Sequence, residues 1–214
     1  MESMMKRLIA TAALATLVAS PALAQSYPGV PDEGVYIGTA LGQSKQKFDL
    51  AQYYRDQGVP NVSDDNTDTA FKLFVGYQFN PNFAVEAGYV DFGDFEANAR
   101  TVVGGIPVTG SSKLSFDGFT AALVGKLPIQ DGFSVYGKLG MIAWDADVTE
   151  NVQALGLSQS DSYGEDGTDP FYGIGAEYVV NQVMMRLEFE RYDISDSGED
   201  FEIDLISASI GYRF

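Results

Sequence analysis

The chain has 214 residues, no cysteine, no histidine and a formal net charge of −17. Without cysteine there is neither a disulfide framework nor a lipidated tether, and so acidic a chain carries too little positive charge to displace counterions from nucleic acid. The missing imidazole removes the base that serine nucleophile schemes use, and no phosphate loop, metal cluster or cofactor motif is present, so the chain is expected to be neither an enzyme nor a cofactor carrier.

In chain order, Lys6 and Arg7 precede the apolar run Leu8 to Ala19, and Ser20-Pro21 leads into Ala22-Leu23-Ala24. A basic start, an apolar centre and a small-x-small site describe a cleaved export signal over residues 1–24, and the apolar run is shorter than the roughly 20 residues needed to span a bilayer. Its removal takes away Glu2, Lys6 and Arg7 and leaves 190 residues at −18. Residues 25–33 are then a short periplasmic extension and 34–214 a single folded domain.

From residue 34 onward, period-2 alternation between turn signals predicts eight strands, near 34–48, 68–80, 83–96, 113–128, 133–148, 169–180, 183–195 and 200–214. The connections at Asn80-Pro81-Asn82, Gln130-Asp131-Gly132 and Asn181-Gln182 are tight, whereas 49–67, 97–112 and 149–168 read as long polar loops, with a shorter link near Ser195 to Glu199. No stretch of the mature chain is long enough for a transmembrane helix, so insertion in a membrane requires strands closed on themselves. The expected fold is all-β: an eight-stranded antiparallel up-and-down transmembrane β-barrel, with the tight turns periplasmic and the long loops outside.

The faces of the strands support that reading. In the second strand Phe71, Leu73, Val75, Tyr77 and Phe79 share one side, with Ala70, Lys72, Phe74, Gly76 and Gln78 on the other. The sixth repeats the pattern with Tyr172, Ile174, Ala176, Tyr178 and Val180. The chain ends on a strand whose apolar face, Ile206 to Phe214, persists to the last residue, as a strand that closes a lipid-facing barrel must. Tyr77, Phe79, Tyr178, Tyr212 and Phe214, all near periplasmic strand ends, suit an aromatic girdle at the lipid interface.

In this order, Gly76-Tyr77-Gln78-Phe79-Asn80-Pro81 with Val85-Glu86-Ala87-Gly88-Tyr89, Lys126-Leu127-Pro128-Ile129, Tyr136-Gly137-Lys138-Leu139-Gly140 with Trp144, Arg186-Leu187-Glu188 and Tyr212-Arg213-Phe214 resemble the transmembrane domain of the OmpA-type outer-membrane proteins. The resemblance covers residues 34–214. It implies a monomeric barrel with a side-chain-filled interior, exported to the Gram-negative outer membrane, delivered to the barrel-assembly machinery by its last strand, and serving envelope integrity or surface interaction. Larger members continue into a peptidoglycan-binding domain, and this sequence departs from them by ending at the barrel.

By parity, Lys72, Glu86, Lys126, Lys138, Glu177, Arg186, Glu188, Glu190 and Arg213 all point inward, five cations against four carboxylates. Such near-neutrality matters because an unpaired charge in a lipid-walled lumen costs several kcal/mol. The resemblance implies a pairing network whose members include Glu86, Glu177 and Arg186. Ala40 and Val124 stand where it implies two lysines, with Lys72 and Lys138 as candidate replacements from neighbouring strands. The network is either a structural plug or an ion gate. The alternative function, a small diffusion channel, draws on Gly38, Gly42, Gly88, Gly140, Gly173, Gly175 and Gly211, which narrow the filling of the lumen.

Three irregularities complete the reading. Parity turns Trp144 inward, and a bulge near Ala143 is expected to return it to the interface. Asp91 and Asp204 fall on the outward face and are expected above the hydrocarbon. Arg191 beside them is either a solvated charge or a partner for lipopolysaccharide phosphate. The stretches Asp145 to Asp169 and Asp193 to Asp204 hold seven and six carboxylates and no lysine or arginine. These are expected to be solvated loops, with divalent-cation binding as the functional alternative, and the loop 49–67 with Tyr53, Tyr54 and Arg55 is a candidate surface-ligand site.

Overall fold

A computed structural model describes residues 33–47, 62–103, 106–154, 157–196 and 199–214. The proposed export signal, most of the 25–33 extension and Tyr53, Tyr54 and Arg55 lie outside the described residues. The chain forms strands β1 (Gly34–Gln46), β2 (Val62–Asp65), β3 (Thr67–Asn80), β4 (Phe83–Val103), β5 (Ile106–Gln130), β6 (Phe133–Ala154), β7 (Leu157–Val180), β8 (Val183–Asp196) and β9 (Glu199–Arg213). Eight of them, all but β2, pair antiparallel with their neighbours in a ring that closes through β1 against β9 and β4 against β5. The ring's backbone ladders therefore run from strand to strand around the wall and leave no edge in it, which is what a hydrocarbon surrounding demands.

The tight turns occur where the sequence places them. Asp131 and Gly132 have φ of 48° and 81°, the paired left-handed geometry of a hairpin turn that matches strand twist, and Asn181 has φ 54°. At the opposite end the structure corrects the expected boundaries. Residues 97–103, 106–112, 149–154 and 157–168 are strand rather than loop: β4 pairs with β5 out to Val103↔Ile106, and β6 pairs with β7 out to Ala154↔Leu157. Both hairpins extend beyond the closed ring. The chain there is rich in Ser, Thr, Gly and Asp on both faces, so the alternation that marks a strand vanishes while the hydrogen-bond ladder continues.

A bulge sets the direction of one of these extensions. The β4–β5 register shifts between Asp91 and Asp94, Gly93 adopts φ +79°, and the Asp68 carboxylate accepts the Asp94 amide at 2.7 Å. Beyond it β4 leaves β3 and pairs with β2, Val62↔Ala99 to Asp65↔Glu96. A Cβ at position 93 would lie 2.5 Å from Asp68 Oδ2. Gly93→Ala is therefore expected to cost at least about 1–2 kcal/mol in the left-handed backbone alone. Amide exchange of β2 and the outer end of β4 should accelerate while the heat-resistant ring persists.

The two faces separate cleanly. Phe71, Leu73, Val75, Tyr77 and Phe79 are exposed outward, as are Tyr172, Ile174, Tyr178 and Val180 and the run Ile206, Ile210, Tyr212 and Phe214. The core is the lumen. One apolar cluster, which includes Phe92, Phe116, Ile142, Trp144, Phe171, Tyr192, Ile194 and Ile203, fills its hairpin end. A second, comprising Tyr36, Phe74, Ala84, Val124, Tyr136, Val179 and Met184, lies toward the turn end. Trp144 belongs to the first and is only 3% exposed. No bulge forms near Ala143: β6 runs in unbroken register from Trp144↔Gly118 to Leu139↔Leu123, because an inward indole finds stacking partners that make a return to the interface unnecessary.

Candidate functional site in the barrel lumen

All nine charged residues assigned to the lumen are buried there: Lys72, Glu86, Lys126, Lys138, Glu177, Arg186, Glu188, Glu190 and Arg213. They form one connected network. Toward the turn end, Glu177 receives Lys126 Nζ at 3.0 Å on both carboxylate oxygens, Arg186 Nε at 2.8 Å and Arg213 Nη2 at 3.3 Å. Lys126 also donates to Gln78 at 3.1 Å, and Arg213 donates to the same Gln78 oxygen. Arg186 then links upward through Nη1 to Glu86 Oε2 at 2.7 Å. Above it, Lys138 reaches Glu86 at 2.6 Å, Glu188 at 2.9 Å and Glu190 at 3.2 Å, and Lys72 bridges Glu188 and Glu190.

Tyrosines complete the network, one of them from β1, which has no lumen charge to give. Tyr36 of β1 donates to Glu86 at 3.0 Å, Tyr136 to Glu188 at 2.6 Å and Tyr192 to Glu190 at 3.1 Å. With Tyr36, each of the eight ring strands contributes at least one member, so the network ties the whole circumference together. Arg186 Nη2 and Arg213 Nε are buried without a hydrogen-bond partner among the described residues. The Arg186 guanidinium is also enclosed by rings, 5.0 Å from the centroid of Tyr36, 5.2 Å from Phe74 and 5.1 Å from Tyr136.

Register fixes where two of the lysines stand. Lys72 sits directly opposite Ala40, and Lys138 directly opposite Val124. Each ammonium reaches the lumen across from a small or apolar side chain on the neighbouring strand.

Above the charges lies an aromatic layer. Phe116 stacks on Trp144 at 5.3 Å and meets Phe92 at 5.4 Å, while Tyr192 packs edge-on against Phe92 at 4.8 Å and stacks on Phe171 at 4.9 Å. Trp144 Nε1 donates to Asp169 at 2.7 Å, which satisfies its polar atom. The inward glycines are seats for these and neighbouring rings. A Cβ at Gly76 would fall 2.1 Å from Tyr36, one at Gly175 2.4 Å from Tyr136, and one at Gly140 2.4 Å from Phe171. The space that glycine frees is occupied by aromatic side chains.

The sequence reading omitted Tyr36, Tyr136, Tyr192 and Gln78 from the site. Parity placed Gln78 inward, yet nothing local marks a tyrosine as a network member rather than filler. The interface aromatics Tyr77, Phe79, Tyr178, Tyr212 and Phe214 are exposed on the outward face at the turn end, with Tyr77 edge-on to Phe79 at 5.2 Å and Tyr212 to Phe214 at 5.1 Å. Arg191 forks onto Asp204 at 2.7 and 3.0 Å and reaches Glu202 at 3.2 Å, so its guanidinium is engaged within the protein, and Lys47 joins the same group.

Where the outward face stops being apolar, four aspartates stand in one row: Asp91↔Asp117, Asp117↔Asp145 and Asp145↔Asp166 are direct cross-strand pairs. Like charges so placed destabilise a sheet. Burial raises the Asp117 carboxyl above the ordinary carboxylate range, and Asp145, Asp91 and Asp147 push the same way against the Tyr89 hydroxyl bond. A raised folded-state pKa means that the proton stabilises the fold, and that this stability is full at acid pH and lost as pH rises through the folded value. Asp117→Asn is therefore expected to stabilise the outer hairpins at neutral pH by a few tenths to about 1 kcal/mol. The gain should vanish at acid pH, which urea titrations at the two pH values measure.

The family model described as outer membrane protein beta-barrel domain matches residues 10–214. Outer membrane protein A of Salmonella typhi is 31% identical over 212 residues, 94% of this chain and 55% of that protein. Outer membrane protein A of Shigella flexneri is 30% identical over 210 residues, again 94% and 55%. Outer membrane protein P5 of Haemophilus influenzae is 28% identical over 222 residues, 94% of this chain and 60% of that one. The chain thus spans little more than half the length of these relatives. Among solved structures, the Neisserial surface protein A (NspA) matches with a TM-score of 0.54 at 12% identity over 85% of this chain and 97% of that one, a likeness of fold. With the matched span taking in every strand of the ring, the chain belongs to the outer membrane protein beta-barrel family and is an OmpA-like barrel of the Gram-negative outer membrane.

Proposed function

We propose that this barrel is a closed, non-enzymatic scaffold whose outward hairpins carry its interactions, and that it is not a diffusion channel. The observation behind this reading is the filling of the lumen: a continuous network of buried ion pairs, capped by the Phe92, Phe116, Trp144, Phe171 and Tyr192 layer. An ion crossing would have to displace buried pairs in a low-dielectric wall and then part a packed aromatic stack. The network serves as a structural plug. The test is single-channel conductance of the refolded chain in planar bilayers, with folding verified by heat-dependent gel migration. A silent bilayer is expected; ion-selective steps that change with reversal of Glu86 or Arg186 would establish the channel reading instead.

The same reading carries the partners. The outward apolar band meets lipid and lipopolysaccharide, the closing strand that ends in Phe214 presents the chain to the barrel-assembly machinery, and the barrel acts as a monomer. Residues 1–24 serve as the export signal. The tight turns face the periplasm and the long hairpins face outward.

A further inference from the structure

The charges of the lumen balance more closely as a whole than they do locally. Toward the turn end Lys126, Arg186 and Arg213 converge on one carboxylate, Glu177. Toward the hairpin end three carboxylates, Glu86, Glu188 and Glu190, stand with the two ammonium groups of Lys72 and Lys138. The Arg186–Glu86 bond joins the halves and offsets one charge of each, so a single positive charge is left over, and it is left at the turn end. The polar groups there carry the mark of it. Gln78 Oε1 accepts from Lys126 Nζ at 3.1 Å and also from Arg213 Nη2, a neutral amide standing between two cations where the rest of the network uses a carboxylate. Arg186 Nη2 and Arg213 Nε lack a hydrogen-bond partner among the described residues, although their side chains are only 1% and 8% exposed.

The two idle donors belong to one neighbourhood. Their guanidinium groups hold opposite oxygens of the same carboxylate, Arg186 Nε on Glu177 Oε2 at 2.8 Å and Arg213 Nη2 on Glu177 Oε1 at 3.3 Å. A buried donor with nothing to donate to and a net charge in a lipid-walled lumen are both costly. A water molecule accepts the hydrogen bonds but leaves the charge, whereas one anion relieves both. We propose that the turn end of the lumen binds a small monovalent anion of chloride size, which accepts from Arg186 Nη2 and Arg213 Nε and completes the network as its fifth negative charge. One unit of charge matches the single excess. Small size follows from the filling at this level, where Tyr36, Phe74, Tyr136, Val179 and Met184 pack together.

The site rests on the structural plug proposed above, and the two fail separately: a conducting barrel shows itself in bilayers, a missing anion in a salt series. The full chain is refolded in detergent micelles in sodium chloride or in sodium gluconate at equal ionic strength, gluconate being too large for the filled lumen, and is unfolded with urea at two pH values. Chloride should raise the folded-to-unfolded ratio several-fold, in proportion to its concentration once the site is saturated. In Gln78→Glu, which sets a fifth carboxylate between Lys126 and Arg213, that dependence should disappear. Crystals of the unaltered chain grown in bromide should show anomalous density within hydrogen-bond distance of Arg186 Nη2 and Arg213 Nε, a readout that decides the matter even if the variant does not fold. Equal stability in the two salts, or bromide bound only at the surface, would overturn the site and leave water as the acceptor. Stability that follows pH but not chloride would assign the balance to proton loss from a lumen lysine, and a chloride dependence that survives Gln78→Glu would place the anion elsewhere on the chain.

Discussion

Glu177→Gln is expected to cost about 3–5 kcal/mol, the range seen when one partner of a buried ion pair is removed, and more than Arg186→Met. Glu177 is the meeting point of three cations, Lys126, Arg186 and Arg213. A neutral amide there leaves three buried positive groups facing one another and turns a lumen of five cations and four carboxylates into five against three. Removing Arg186 has the opposite effect on the balance. It leaves four against four, with Glu86 still held by Lys138 at 2.6 Å and Glu177 by Lys126 at 3.0 Å. What Arg186→Met forfeits is the link between the two halves of the network and the packing against Tyr36, Phe74 and Tyr136, part of which methionine restores. The order is measured by urea unfolding of the two variants in the same lipid, with folded fraction read from heat-dependent migration. A larger loss for Arg186→Met would mean that local contacts, rather than charge balance, govern the lumen.

Much of this was legible in the sequence, for reasons that also mark the limits. Period-2 alternation is imposed by the contrast between lipid and lumen, so the strands could be read wherever that contrast exists: Phe71 to Phe79 and Tyr172 to Val180 face out in the structure as the pattern requires. Beyond Ala97 and Ala146 the side chains of these hairpins are exposed or half-buried on both faces, the contrast fades, and 97–112 and 149–168 read as loops although their ladders run out to Val103↔Ile106 and Ala154↔Leu157. Parity likewise placed the nine charges inward, but it is silent on who meets whom. Tyr36 and Glu86 are fifty residues apart and touch because β1, β3 and β4 are neighbours in a particular register. That Lys72 faces Ala40 across the β1–β3 pair is visible only once the register is known. Trp144 was misjudged because a large amphipathic ring in a barrel strand suggests the interface, whereas Phe116, Gly167 and Asp169 together make an inward seat for it.

That seat underlies the second large effect. Trp144→Ala is expected to cost about 3–5 kcal/mol, as for other buried tryptophans truncated to alanine. The indole is almost fully buried, stacks on Phe116 at 5.3 Å, and lies over Gly167, where an added Cβ would come within 2.5 Å of the ring. Truncation leaves a cavity that neighbours on rigid strands cannot collapse to fill, and it strips Asp169 of its 2.7 Å donor. Trp144→Phe, which retains stacking but not the hydrogen bond, should cost less. The bilayer should stay silent in Trp144→Ala, because the ion network beneath the aromatic layer is intact, and stay silent in Glu177→Gln for the converse reason. The two sites share no bonded partner, so their costs should add to within about 0.5 kcal/mol in the double variant. Conductance in either single variant would show that one layer alone had closed the barrel, and a marked departure from additivity would show that charge network and aromatic cap fold as one unit.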